Sequence, residues 1–145
     1  MKKTGIVLLA LGFLIAGCGS KNVNDGKITT ELIDPENPPV VKFKQTEYDF
    51  GTISQGEIVR YTFYFTNEGK SSLVIQDVKP TCGCTIPKDW PNYPIKPGEG
   101  GRIDVSFDSA GKQGKISKSI RVVANTKPNV TVIKLVGFIN APNMN

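Results

Sequence analysis

The chain has 145 residues, the length of one domain, and its 18 Lys and Arg against 13 Asp and Glu give a formal charge of +5. It contains no His, which excludes Ser-His and Cys-His nucleophile pairs, an imidazole general base and His-ligated zinc or copper. Gly (15) and Pro (10) favour short elements joined by turns, and 39% apolar with 8% aromatic residues excludes both a membrane-spanning and a disordered composition.

Lys2 and Lys3 precede an uncharged run from Gly5 to Gly17. As a helix this run rises about 20 Å, short of the roughly 30 Å bilayer core. It therefore reads as a cleaved signal helix and not as a span. Its end, Ile15-Ala16-Gly17-Cys18, resembles the lipobox of bacterial lipoproteins, in which a branched apolar residue and two small ones precede the cysteine that is acylated. The resemblance implies a signal peptide over 1–17 and a lipid on Cys18. Two or more acyl chains, at about 0.8 kcal/mol per buried methylene, hold a protein on a membrane. The expected location is the cell envelope, anchored through lipid and facing the periplasm; without a dense acidic run after Cys18, the cell surface is disfavoured. Loss of Lys2 and Lys3 leaves 16 basic and 13 acidic residues, a net +3. These charges are spread singly, so a nucleic-acid footprint is absent.

Residues 18–40 are polar, rich in turn formers and end in Pro38-Pro39. They read as a flexible tether that stiffens toward polyproline geometry, with a typical span of about 25 Å. The domain is expected over 41–140, with a tail at 141–145. Val40–Lys44 is a first strand, and Tyr48-Asp49-Phe50 runs extended into Gly51. Val59, Tyr61, Phe63 and Phe65 alternate with Arg60, Thr62, Tyr64 and Thr66, the period of two that buries one face of a strand. After a turn at Asn67–Lys70 come Leu73–Lys79, the alternations Ile103/Val105/Phe107 and Ile120/Val122/Ala124, and the more continuously apolar, hence central, Val130–Ile139. Six or seven strands without a helix predict an all-β fold, an antiparallel two-sheet sandwich, with a small barrel as the rival.

The motifs fall in a recognisable order: Y-D-F-G-T-I from Tyr48, F-x-F-T-N-E-G from Phe63, L-V-I-Q-D-V from Leu73, T-C-G-C-T from Thr81, I-K-P-G-E-G-G from Ile95 and K-L-V-G-F-I from Lys134. Over about residues 43–140 the chain resembles a bacterial lipoprotein family of unknown function that carries the Cys-Gly-Cys-Thr signature and is common in Bacteroidota. That family is similar to Hydin-like and major-sperm-protein-like domains. The resemblance implies an exported immunoglobulin-like sandwich and brings no activity with it. Gly51 and Gly69 read as turn glycines, and Asn67 as a residue that caps a strand end with its own side chain.

Cys82-Gly83-Cys84 is the one constellation able to carry chemistry. Three readings stand: a disulfide favoured by an oxidising compartment, resting or redox-active; two thiolates holding Cu(I) in near-linear coordination; or small apolar residues at a strand-to-loop corner. A thiol bonded to a partner protein completes the set. Lys79 and Lys88 lie close enough in sequence to influence a thiol. Asp108-Ser109-Ala110 matches an O-glycosylation pattern at Ser109, which requires an exposed turn. Trp90 and Tyr93 lie in a Pro-rich loop that either caps the sandwich or makes a contact surface. No cofactor or resident metal is expected. The favoured function is a monomeric, non-catalytic module that binds an envelope protein; thiol-disulfide exchange or Cu(I) handling at Cys82 and Cys84 is the alternative. Intact mass spectrometry of native material, with and without alkylation, is expected to show loss of residues 1–17 and acyl chains on Cys18; an unprocessed, unacylated chain would contradict the anchor.

Overall fold

A computed structural model describes residues 36–141. The expected signal peptide, Cys18, most of the expected tether and most of the expected tail lie outside the described residues. Eight strands follow in order: β1 Val41–Phe43, β2 Glu47–Ser54, β3 Ile58–Asn67, β4 Ile75–Pro80, β5 Thr85–Asp89, β6 Gly100–Asp108, β7 Gly114–Ala124 and β8 Val130–Asn140. They form two separate four-stranded sheets, β1-β3-β6-β5 and β2-β8-β7-β4. The architecture is therefore a sandwich, and the barrel is excluded. The alternation expected for β3 and β6 is observed: Phe63, Ile103 and Phe107 are 0% exposed and Phe65 and Val105 2%. From the second sheet Ile120, Ile133 and Leu135, each 0% exposed, complete the core. The more continuously apolar β8 is an interior strand, as its composition requires.

Two details differ from the sequence expectation. An additional strand, β5, pairs with β6 from Thr85↔Phe107 to Asp89↔Asp104. It contains Pro87 and sits on the sheet edge, where a missing N–H breaks no ladder on its outer side. The second difference is direction: β2 pairs parallel to β8, whereas every other ladder is antiparallel. Only Lys44–Thr46 separate β1 from β2. The chain thus crosses from one sheet to the edge of the other without the reversal that a hairpin would supply.

The recurring motifs turn out to be fastenings. In Tyr-Asp-Phe-Gly, Tyr48 stacks on Tyr61 of the opposite sheet at 3.7 Å between ring centroids, and Tyr61 meets Phe63 edge-on at 4.8 Å. Phe50 stacks on Phe107 at 5.8 Å and occupies the space a side chain at Gly137 would take. Asp49 Oδ1 accepts the Gly51 N–H at 2.8 Å, and Gly51 adopts φ +72°, a conformation costly for a residue with a Cβ. Gly69 works differently from expectation. Its φ is not positive; instead a Cβ there would lie 2.5 Å from Pro39 Cα. Close approach of the 38–40 segment is what requires glycine. Pro39 is accordingly buried, and the Ser71 hydroxyl donates to the Asn37 carbonyl, so the last residues of the expected tether are seated on the domain.

Asn67 does more than cap β3. It is 0% exposed; its amide donates to the Ser71 and Ile95 carbonyls at 2.8 and 2.9 Å, and its Oδ1 accepts from Gly69 N at 3.0 Å and Val40 N at 3.4 Å. One side chain ties together the end of β3, the start of β1, the following turn and the segment before β6. Asn67→Ala is expected to cost roughly 1–3 kcal/mol, since the part-buried Ser71 carbonyl and Gly69 N–H lose this partner and the buried Ile95 carbonyl keeps only Leu73 N. Urea unfolding measures it, and a loss under about 1 kcal/mol would contradict this role.

Candidate functional site

Two features stand apart from the packing, and β5 joins them. The first is the corner at which the chain leaves β4 in one sheet and enters β5 in the other. Thr81 fixes its start, with both backbone N–H and side-chain hydroxyl donating to the Ser119 carbonyl at 3.0 Å. Its end is fixed where Asp108 N donates to the Cys84 carbonyl at 3.0 Å. Between them Cys82 and Cys84 are disulfide-bonded, with Cα atoms 5.5 Å apart, inside the usual window. Cys84 packs against the core. Gly83 is exposed, its φ is not positive, and a Cβ there would meet nothing within 4 Å. It places no side chain between the two cysteines. Thr85 is buried at 1% exposure, with its hydroxyl 3.8 Å from Cys82 Sγ.

Among the described residues the hydrogen bond to a sulfur comes from Thr85 and not from a lysine near in sequence. Lys79 pairs with Asp77 at 2.7 Å, and Lys88 lines a shallow depression with Arg60 and Asp104. The polar neighbour of the thiol pair is thus a hydroxyl. Sulfurs bonded to one another offer no thiolate to Cu(I), so that reading applies only to a reduced pair.

The second feature is an open groove of about 620 Å³ lined by Lys44, Tyr64, Phe65, Thr66, Asp89, Trp90, Pro91, Asn92, Tyr93, Gly100, Gly101 and Arg102. Tyr64 and Arg102 face each other across the β3–β6 ladder. Lys44 Nζ stands 5.4 Å from the Tyr64 ring centroid, within cation–π range. Arg102 Nε is 3.4 Å from Asp104, whose other oxygen accepts the Thr62 hydroxyl at 2.7 Å. The wall made by the loop after β5 is held because Gly101 has no side chain: a Cβ there would lie 2.5 Å from the Phe65 ring and 3.0 Å from Pro91. Trp90 packs partly against the core, whereas Tyr93 is 57% and Tyr64 49% exposed. The loop therefore both caps the sandwich and offers aromatic surface. Sequence reasoning picked out Trp90 and Tyr93 but not Lys44, Tyr64 or Arg102. The available signal was a tyrosine on the polar side of the β3 alternation.

Ser109 is a correction. The O-glycosylation pattern requires a projecting hydroxyl, but Ser109 is 0% exposed and its Oγ donates to the Ser54 carbonyl at 3.3 Å. Its N–H also donates to the Glu57 carbonyl at 3.1 Å. The motif belongs to the fastening of the β6–β7 turn onto the end of β2 and the β2–β3 turn.

A family model described as a protein of unknown function (DUF1573) matches residues 41–139. No curated protein matches the sequence. Among solved structures, the chain is similar to a protein of unknown function from Porphyromonas gingivalis W83, at 21% identity and TM-score 0.60, covering 69% of this chain and 46% of that one. It thus spans about half the length of that relative. It is also similar to the secreted serine protease VesC from Vibrio cholerae, at 10% identity and TM-score 0.57, covering 68% of this chain and 23% of that one. A third likeness is to the ASH / PapD-like domain of human CEP192, at 12% identity and TM-score 0.51, covering 81% and 96%. Likeness at these identities shows the fold alone, a PapD-like, immunoglobulin-like sandwich.

The disulfide closes a ring of three residues, for which the chain-entropy relation gives only about 1.6 kcal/mol. Replacing Cys82 and Cys84 together by Ser is expected to lower unfolding stability by no more than about 2 kcal/mol in urea titration; a domain that no longer folds would assign the pair a structural purpose.

Proposed function

The chain belongs to the family described as protein of unknown function (DUF1573), and we propose that it is a non-catalytic protein-binding module of the cell envelope, tethered by lipid on Cys18 and acting as a monomer. The observation that carries this reading is the groove. Exposed aromatics on a rigid ladder provide contact area at low entropic cost, and Tyr, Trp and Arg are the residue types that dominate binding energy at interfaces. Tyr64 and Arg102 project from paired strands, and Lys44 has no carboxylate partner among the described residues. The fitting occupant is a segment of an envelope protein that carries carboxylates beside apolar side chains. Hydrolytic chemistry has no support in the sequence, which lacks His. The lipid and the periplasmic location rest on the Lys2–Cys18 pattern.

A photoreactive phenylalanine analogue at Tyr93 is expected to crosslink one discrete envelope protein in intact cells. The same probe at Val132, exposed on the other sheet, is not. Adding Tyr64→Ala and Arg102→Ala should weaken capture by about tenfold or more, as loss of two interface anchors does. Equal labelling from both positions, or none from Tyr93, would overturn the proposal.

A further inference from the structure

The disulfide corner has properties that neither the packing nor the groove uses. The chain-entropy relation assigns the pair only about 1.6 kcal/mol, and the flanking chain has fastenings of its own in the Thr81–Ser119 and Asp108–Cys84 hydrogen bonds. Opening the bond therefore leaves the corner fastened on both sides. The two sulfurs are also unequal. Both are half-buried, but Cys84 packs against the core and Cys82 does not, and the Gly83 between them is exposed. The third property is the Thr85 hydroxyl. In a residue 1% exposed, its hydrogen-bond partner is Cys82 Sγ. A disulfide sulfur is a weak acceptor, whereas a thiolate is a charged one, and hydrogen bonds to charged acceptors are about twice as strong as neutral ones. A buried hydroxyl aimed at a poor acceptor is thus already placed for the anion that reduction creates.

We propose that Cys82 and Cys84 form a thiol-disulfide exchange site, with Cys82 as the sulfur that bonds to the exchanging partner and Cys84 as the resolving thiol. The co-reactant is a dithiol. One of its thiolates attacks Cys82 Sγ; the Cys82–Cys84 bond breaks, and its electron pair leaves on Cys84, which takes a proton from water. The partner's second thiolate then attacks its own sulfur in the mixed disulfide and expels the Cys82 thiolate, which receives the Thr85 hydroxyl hydrogen bond. The dithiol is oxidised by two electrons to a disulfide, and the domain is reduced by two electrons to a pair of thiols. Running backwards, the Cys82 thiolate attacks a partner disulfide and Cys84 resolves the intermediate. Thr85 is a positioning residue in both directions. This inference is independent of what occupies the groove: it adds a stoichiometric exchange of one disulfide at the corner to a module whose groove only binds.

The test uses the full native chain with oxidised glutathione as probe and peptide mapping as readout. Cys84→Ser is expected to take up one glutathione on Cys82 about tenfold or more faster than Cys82→Ser takes one up on Cys84, following thiolate character and access. Thr85→Val in the Cys84→Ser background should slow uptake by roughly fivefold or more near neutral pH and recover at alkaline pH, where the thiolate forms without help. Thr85→Ser, which keeps the hydroxyl, should react like the parent. In the wild-type chain, dithiothreitol should open the disulfide while the β-sheet circular dichroism stays unchanged. Equal uptake at the two positions, a Thr85→Val rate equal to the parent's across pH, or a wild-type disulfide that opens only in urea would each overturn the assignment.

Discussion

No strand ladder joins the two sheets, so their faces are held together by side-chain packing, with the chain connections closing the rim. Burial of the inner faces is the constraint from which the rest follows. Phe63, Phe107, Ile120 and Leu135 interdigitate from opposite layers, at roughly 1.5–3 kcal/mol for each large apolar side chain removed from water. Yet the chain changes sheet at five of the seven connections between its described strands. Each change carries backbone polar groups around the rim of a dry interior, and every buried N–H or C=O there needs a partner. This explains why the motif residues gather at the corners. Asn67 satisfies one corner, Asn125 another through Val74 N and the Ser72 carbonyl at 2.8 and 3.0 Å, Thr81 a third, and Ser109 a fourth.

The strands were legible wherever one face is buried and the other wet. The alternations around Phe63, Val105 and Val122 report burial directly, since a period of two has no other simple cause. Strand β5 was not legible because an edge strand with Pro87 and mostly exposed side chains has no such alternation to show. The direction of β2 was equally hidden, because periodicity is the same whichever way a neighbour runs. Ser109 failed for a related reason. Asp-Ser in a turn looks alike whether the hydroxyl points outward or back to Ser54, and only the packing of the β6–β7 turn against β2 decides.

The candidate sites divide in the same manner. The sulfur pair was visible as a composition anomaly, two cysteines with one residue between them, but its asymmetry was not. That asymmetry arises because Cys84 already enters the rim of the core while Cys82 remains outside it, a difference of a single step along the chain at a sheet crossing. The groove was half visible, through Trp90 and Tyr93. Its other wall comes from Lys44, just after β1, with β3 and β6, where Lys44, Tyr64 and Arg102 are far apart in sequence and meet only through the β1–β3–β6 order.

Both features are carried by β5, and this follows from its place in the sheet. Its five residues extend about 17 Å at 3.3–3.4 Å each, with Thr85 against the disulfide at one end and Asp89 entering the groove wall at the other. An edge strand is held by one ladder, here to β6 alone, so its ends depend on local fastenings: the Asp108–Cys84 hydrogen bond at one side and the Pro91–Gly101–Phe65 contact at the other. The proposed exchange corner and binding loop thus sit at the two ends of a strand whose neighbour β6 keeps Phe107 and Ile103 fully buried. In a sandwich whose interior must remain closed, the last strand of a sheet is the place where residues can be spent on something other than packing.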